Sequence, residues 1–199
     1  GGVQGHEDAG HRGGNLDLDP RMGNSAQNSI PLDFIYDTLV YIDRNTGDVL
    51  PSLAVSWEFI DPTHLKLTLR QGVKFSNGDP FTAEDVYYCF KRTKDHSTSK
   101  WTMSWLDIDN TKIVDDHTIV LAMYAPYSPV FYVLSNGSGR TYIASKTAME
   151  AMGEDAHART PVGTGKARAS SNGPVIFAEP PLRVDPEALV GWADCPSPS

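Results

Sequence analysis

The segment Leu65-Lys66-Leu67-Thr68-Leu69-Arg70 alternates apolar and polar side chains at every step. A period of two puts three leucines on one face of a strand and Lys66, Thr68 and Arg70 on the other, so one face must be buried and one wet. Trp57-Glu58-Phe59-Ile60 precedes it across Asp61-Pro62-Thr63-His64, a turn-type sequence, and this predicts a hairpin. A second pair follows: Lys112-Ile113-Val114, the polar Asp115-Asp116-His117, then Thr118-Ile119-Val120-Leu121-Ala122-Met123. Ile119, Leu121 and Met123 share a face at that period. Asn45-Thr46-Gly47-Asp48 and Ser76-Asn77-Gly78-Asp79 mark further turns.

Helical signals are fewer. The clearest helix starts at Thr82, whose hydroxyl can accept from the backbone N–H of Asp85, while Glu84 and Asp85 favour the positive end of the dipole. Phe81 and Val86 have the spacing of a hydrophobic staple. Val86, Cys89, Phe90 and Thr93 then form the inward stripe. Weaker helical patterns run over 35–41, 130–134 and 146–152, the last stopped by Gly153. Strands and helices mix without regular alternation, so the expected class is α+β, with mixed sheets and short helices.

The 199 residues suffice for a sizeable core and correspond to one ordinary domain or two small ones. No run approaches the roughly 20 apolar residues of a membrane span, and no signal peptide is expected. Seventeen Lys and Arg against 25 Asp and Glu argue against nucleic acid as a partner. Cys89 and Cys195 are too far apart in sequence to read as a metal spacing. Residues 1–14 carry six of the 17 glycines and residues 166–199 six of the 14 prolines; neither end shows a sustained period, so both are expected to be poorly ordered.

The motifs of catalysis fail on inspection. Gly163-Thr164-Gly165-Lys166 looks like the end of a phosphate-binding loop, but Thr160 stands where the first glycine is needed and Ala167 where a magnesium-binding hydroxyl is needed. His6 and His11 are five apart rather than the four of a helical zinc site, and Gly10 opposes a helix. No Gly-x-Ser-x-Gly elbow is present. His64, His96, His117 and His157 sit in turn, loop or helix-end contexts and read as solvated. No enzyme, cofactor or metal is expected.

Aromatic residues are more suggestive. Trp101 and Trp105 lie at a helical spacing of four, and Tyr124, Tyr127, Phe131 and Tyr132 form a second group. Each group fits either core packing under a loop or the wall of a ligand cleft.

Three further blocks carry a family likeness. Asn15-Leu16-Asp17-Leu18-Asp19-Pro20, then Ile35-Tyr36-Asp37-Thr38-Leu39-Val40, then the run from Thr46 through Pro51-Ser52-Leu53-Ala54 to Trp57-Glu58 resemble the family 5 extracellular solute-binding proteins. These are the peptide-, dipeptide- and nickel-binding components of bacterial ABC importers. The likeness continues from Leu67 through Val73-Lys74-Phe75-Ser76-Asn77-Gly78-Asp79 to Val86 and resumes at Thr160-Pro161-Val162-Gly163-Thr164-Gly165. The resemblance implies part of the first lobe of a type II periplasmic-binding-protein-like fold over residues 15–165, with 1–14 and 166–199 unmatched. Gly163-Thr164-Gly165 then corresponds to the turn by which such proteins leave the small subdomain.

The resemblance further implies a binding protein for an oligopeptide or dipeptide, working with the membrane permease of an ABC importer at the periplasmic or extracellular face of the bacterial envelope. Asn24, Ser25, Ala26 and Gln27 match the segment that lines the cleft in peptide-binding relatives; an ordinary polar loop is the alternative reading. Trp101 and Trp105 complete the expected ligand wall. After Gly165 the family pattern is lost, and the Gly-rich start replaces an apolar first strand, so a truncated fragment with unrelated flanks is expected. A non-binding remnant and an enzyme built on a His/Asp pair are the competing readings.

Overall fold

Both predicted hairpins form, and they join edge to edge. In the computed structural model, which describes residues 18–21, 26–96, 100–136, 141–165, 167–170 and 173–177, β3 (Ala54–Asp61) pairs antiparallel with β4 (His64–Leu69). β4 pairs in turn with β6 (Thr118–Met123), and β6 with β5 (Leu106–Asp115), giving the order β3-β4-β6-β5. Register sets Leu65 opposite Leu121 and Leu67 opposite Ile119, so the two alternating runs bury the same face. β5 begins earlier than its sequence pattern suggests, because Leu106 and Ile108 also point into the core. The pairing shifts register between Asp107 and Lys112, as an added residue in one strand of a ladder does.

The helix expected after Thr82 is α2 (Ala83–Asp95). Thr82 and Asp85 close a capping box, in which the Asp85 carboxylate accepts from the Thr82 backbone N–H at 2.9 Å and from its hydroxyl at 3.2 Å. Phe81 and Val86 are both buried, as are Cys89 and Phe90; Thr93 is half-buried and donates back to the Cys89 carbonyl. α3 (Val130–Val133) and α4 (Lys146–Met152) fall where the weaker patterns place them. α4 stops at Gly153, whose φ of 80° suits glycine and few other residues, and α5 (Glu154–His157) follows.

The helix expected over 35–41 does not form. α1 (Ala26–Ile35) ends where that pattern begins, and Val40–Ile42 is strand β1, paired with β2 (Val49–Pro51). The carbonyls that would continue a helix are taken by distant amides. Ile35 accepts from Gly165 N–H at 2.9 Å, Asp37 from Ile143 at 3.1 Å, and Leu39 from Ala54 at 2.8 Å. Long-range pairing thus overrides the local apolar period.

A second two-stranded ladder, β7 (Ala167–Ser170) with β8 (Gly173–Phe177), lies in the stretch whose sequence shows no sustained period. Among the described residues no helix is long and apolar enough to cross a membrane.

Candidate ligand-binding site

The expected cleft segment begins next to a buried charge. Asp19 is buried, and its carboxylate receives Arg21 Nη2 at 2.8 Å, Arg21 Nε at 3.0 Å and Arg92 Nη2 at 2.9 Å. Both arginines also reach Glu154 at 2.9 Å, which ties the entering chain to α2 and α5. Burial pushes the Asp19 carboxyl upward, but the hydrogen bonds from Arg21 and the charges of Arg92 and Arg21 outweigh it and hold the group at about 2. The guanidinium–carboxylate contacts have the paired geometry that makes such bonds strong. Beyond this anchor Asn24 and Ser25 lie outside the described residues, and Ala26 and Gln27 open α1.

The two tryptophans separate. Residues Lys100–Met103 form a single 3₁₀ turn, not the α-helix that a spacing of four implies, and β5 starts at Leu106. With about three residues per turn and a change of direction at Ser104, the two side chains no longer share a face. Trp101 is 60% exposed and Trp105 only 6%. Trp105 donates its indole N–H to the Thr102 carbonyl at 2.8 Å and stacks flat on Tyr127, with ring centroids 5.5 Å apart and planes within 2°. Trp105 therefore belongs to the core platform, and Trp101 is the side chain the platform presents. The second aromatic group divides likewise: Phe131 packs on Trp57 at 5.4 Å, whereas Tyr124 and Tyr132 are exposed.

Lys94, at the end of α2, was not singled out by its sequence context. Its Nζ donates to the Leu106 carbonyl and, at 3.0 Å, to the Tyr124 hydroxyl, and it lies 4.7 Å from the centre of the Tyr124 ring. Tyr124 N–H in turn donates to the Trp105 carbonyl at 3.1 Å. One side chain thus connects α2, the start of β5 and the chain leaving β6.

A hollow of about 310 Å³ lies beside the end of α1, lined by Asp33, Asp37, Tyr41, Asn136 and Tyr142 among others. Its carboxylates are engaged: Tyr142 donates to Asp33, and Thr164 to Asp37 at 2.9 Å. The larger groove, about 580 Å³, runs between α2 and α4–α5 and contains the Arg92–Glu154 pair.

His157 departs from its expected solvated setting. It is buried, its Nε2 accepts from Val162 N–H at 3.1 Å, and its ring lies 6.3 Å from that of Tyr36. Burial lowers it from the ordinary 6.5 to about 4, an effect reinforced by the Arg92 charge and opposed by Asp19. Cys89 is likewise buried, and burial pushes its thiol up to about 12, so it is no nucleophile.

The apparent phosphate loop resolves into a packing turn. A Cβ on Gly163 would sit 2.1 Å from the Ile35 carbonyl oxygen, and one on Gly165 would sit 2.4 Å from that of Phe34. The glycines let two backbones touch. Among the described residues no three His, Cys, Asp or Glu side chains are placed to hold a metal.

Comparison with known proteins gives a consistent picture. Residues 48–166 match the bacterial extracellular solute-binding proteins, family 5 Middle. The periplasmic oligopeptide-binding protein OppA of Escherichia coli (strain K12) is 29% identical over 156 residues, covering 69% of this chain and 28% of OppA. The structure of Burkholderia pseudomallei OppA superposes with a TM-score of 0.68 at 25% identity, covering 81% of this chain and 36% of that one. The solute-binding protein MoaA of A. tumefaciens R10, solved with mannopinic acid, gives 0.73 at 25% identity, covering 82% and 35%. The chain spans about a quarter of the length of the curated relatives it matches. These relatives are named as binding proteins, and the fold is that of periplasmic binding proteins.

Proposed function

Because the chain belongs to the family 5 bacterial extracellular solute-binding proteins, we propose that it serves as part of the substrate-binding component of an ABC importer, taking peptides or a similar small solute. The match over residues 48–166 carries this reading, since it spans the four-stranded sheet, α2 and the turn at Gly163. Residues 15–165 are then part of the N-terminal lobe, flanked by unmatched segments 1–14 and 166–199. Two-lobed binders trap ligand by hinge closure, and extended peptides are held largely through main-chain hydrogen bonds that tolerate varied side chains. In this reading Asn24, Ser25, Ala26 and Gln27 line the cleft with Trp101, while Trp105 supports it from below. The partners are an oligopeptide or dipeptide and a membrane permease, and the place of action is the periplasmic or outer face of the envelope, as the name of the E. coli relative supports.

A second reading has one observation in its favour. Phe59 and Ile60 at the sheet edge are exposed, apolar surface of the kind that engages another chain, and this favours a non-binding remnant or interaction fragment. Isothermal calorimetry of the 199-residue chain with a mixed pool of di- to pentapeptides decides between them. Micromolar or tighter binding supports the first; no heat across the pool supports the remnant.

A further inference from the structure

The geometry points to Lys94 as the group that takes an anionic end of the ligand, a carboxylate, beside the exposed Tyr124 ring. This rests on the ligand-binding reading above. An ammonium has three donors and no acceptor. Two donors of Lys94 are spent on neutral partners, the Leu106 carbonyl and the Tyr124 hydroxyl, and among the described residues no carboxylate pairs with it. Its charge is therefore uncompensated, whereas Arg21, Arg92 and Lys146 are each paired with acids. The nearby Asp107 carboxylate is occupied by Asn110, at 2.8 Å from its side-chain amide.

Two features make Lys94 more than a latch. The side chain is only half-buried, so the third donor has access to solvent, and the two bonds that hold Nζ remove the freedom a lysine ordinarily loses on binding. The setting is also amphipathic. Tyr124, 60% exposed, shares Nζ and is joined by its backbone to Trp105, one short turn from the exposed Trp101. A fixed cation over one exposed aromatic ring suits a ligand that pairs an anion with an apolar or planar body.

The test compares the tripeptide Ala-Phe-Ala bearing a free C-terminal carboxylate with its C-terminal amide, by calorimetry on the full chain. The carboxylate form should bind at least about tenfold more tightly, the scale of one charge-assisted hydrogen bond. Lys94→Met should erase that preference by weakening the carboxylate form alone, and Lys94→Arg should retain most of it. Equal binding of both peptides by the unaltered chain, or a preference that survives in Lys94→Met, overturns the assignment and leaves peptide binding intact. Binding of neither peptide defeats the ligand-binding reading, and the assignment to Lys94 falls with it. Circular dichroism and thermal melts of each variant separate loss of recognition from loss of fold.

Discussion

The carboxylate of Asp85 accepts the backbone N–H of Lys146 at 2.8 Å, across 61 positions of sequence. The same carboxylate closes the capping box of α2, so one side chain satisfies the first amides of two helices. Helix starts leave such donors without intrahelical partners, and inside a core an unmet donor costs more than the bond returns. Burial raises the Asp85 carboxyl, opposed by the bonds from Lys146 and Thr82, so the bonds hold a charge the interior resists.

Removing that acceptor should be felt at both helices. Asp85→Ala is expected to lower unfolding free energy by about 2–3 kcal/mol, roughly one cap at each end. Asp85→Asn should cost less, because its amide keeps one acceptor. Urea titrations read the difference, with Lys91→Ala, at an exposed position of α2, as a neighbour that should stay within about 0.5 kcal/mol.

The exit turn admits no side chain. Gly163→Ala sets a methyl against backbone and against Tyr36 Cδ1, 2.6 Å away, so it should cost at least about 3 kcal/mol or prevent folding. Thr164→Ala, which loses only the bond to Asp37, should cost about 1 kcal/mol. Equal melting temperatures for these two variants would contradict the packing described.

Acid should weaken the fold in two windows. His157 is lowered in the folded state, so its contribution is complete above the ordinary 6.5 and is lost as pH falls from there through about 4, amounting to about 3 kcal/mol. Asp19, held at about 2, contributes fully above the ordinary 3.8 and loses its share as pH falls from that value through about 2. His157→Gln keeps a neutral acceptor for Val162 and should flatten the upper window only. Stability measured by urea at a series of pH values checks the slope.

Trp101 and Trp105 should part company under mutation. Trp105→Ala empties a buried, stacked site and should cost about 3–5 kcal/mol, while Trp101→Ala should change stability by less than about 1 kcal/mol. Trp101→Ala should instead reduce affinity for any peptide the chain binds. A destabilised Trp101→Ala with unchanged binding would reverse the two assignments.

Much of the sheet was legible in short windows. The alternation of Leu65, Leu67 and Leu69, the turn at Pro62-Thr63 and the Thr82 start of α2 depend on neighbours a few positions away, where period and capping act. The 35–41 stretch misled because its apolar spacing is genuine but its carbonyls are claimed by Ala54, Ile143 and Gly165. The candidate site was less readable. Trp101 and Trp105 look equivalent along the chain, and only the 3₁₀ turn with Tyr127 beneath it sends one outward and one inward.

Residue order alone established the strand faces, the helix starts and, through its blocks, the family, since each is written in local chemistry. Tertiary packing assigned the partners. Arg92 meets Asp19 across 73 positions, Lys94 meets Tyr124 across 30, and His157 becomes a neutral buried acceptor because Tyr36 and Val162 arrive beside it. A charge or an imidazole takes its character from the dielectric and the donors around it, and those exist only once distant segments have packed together.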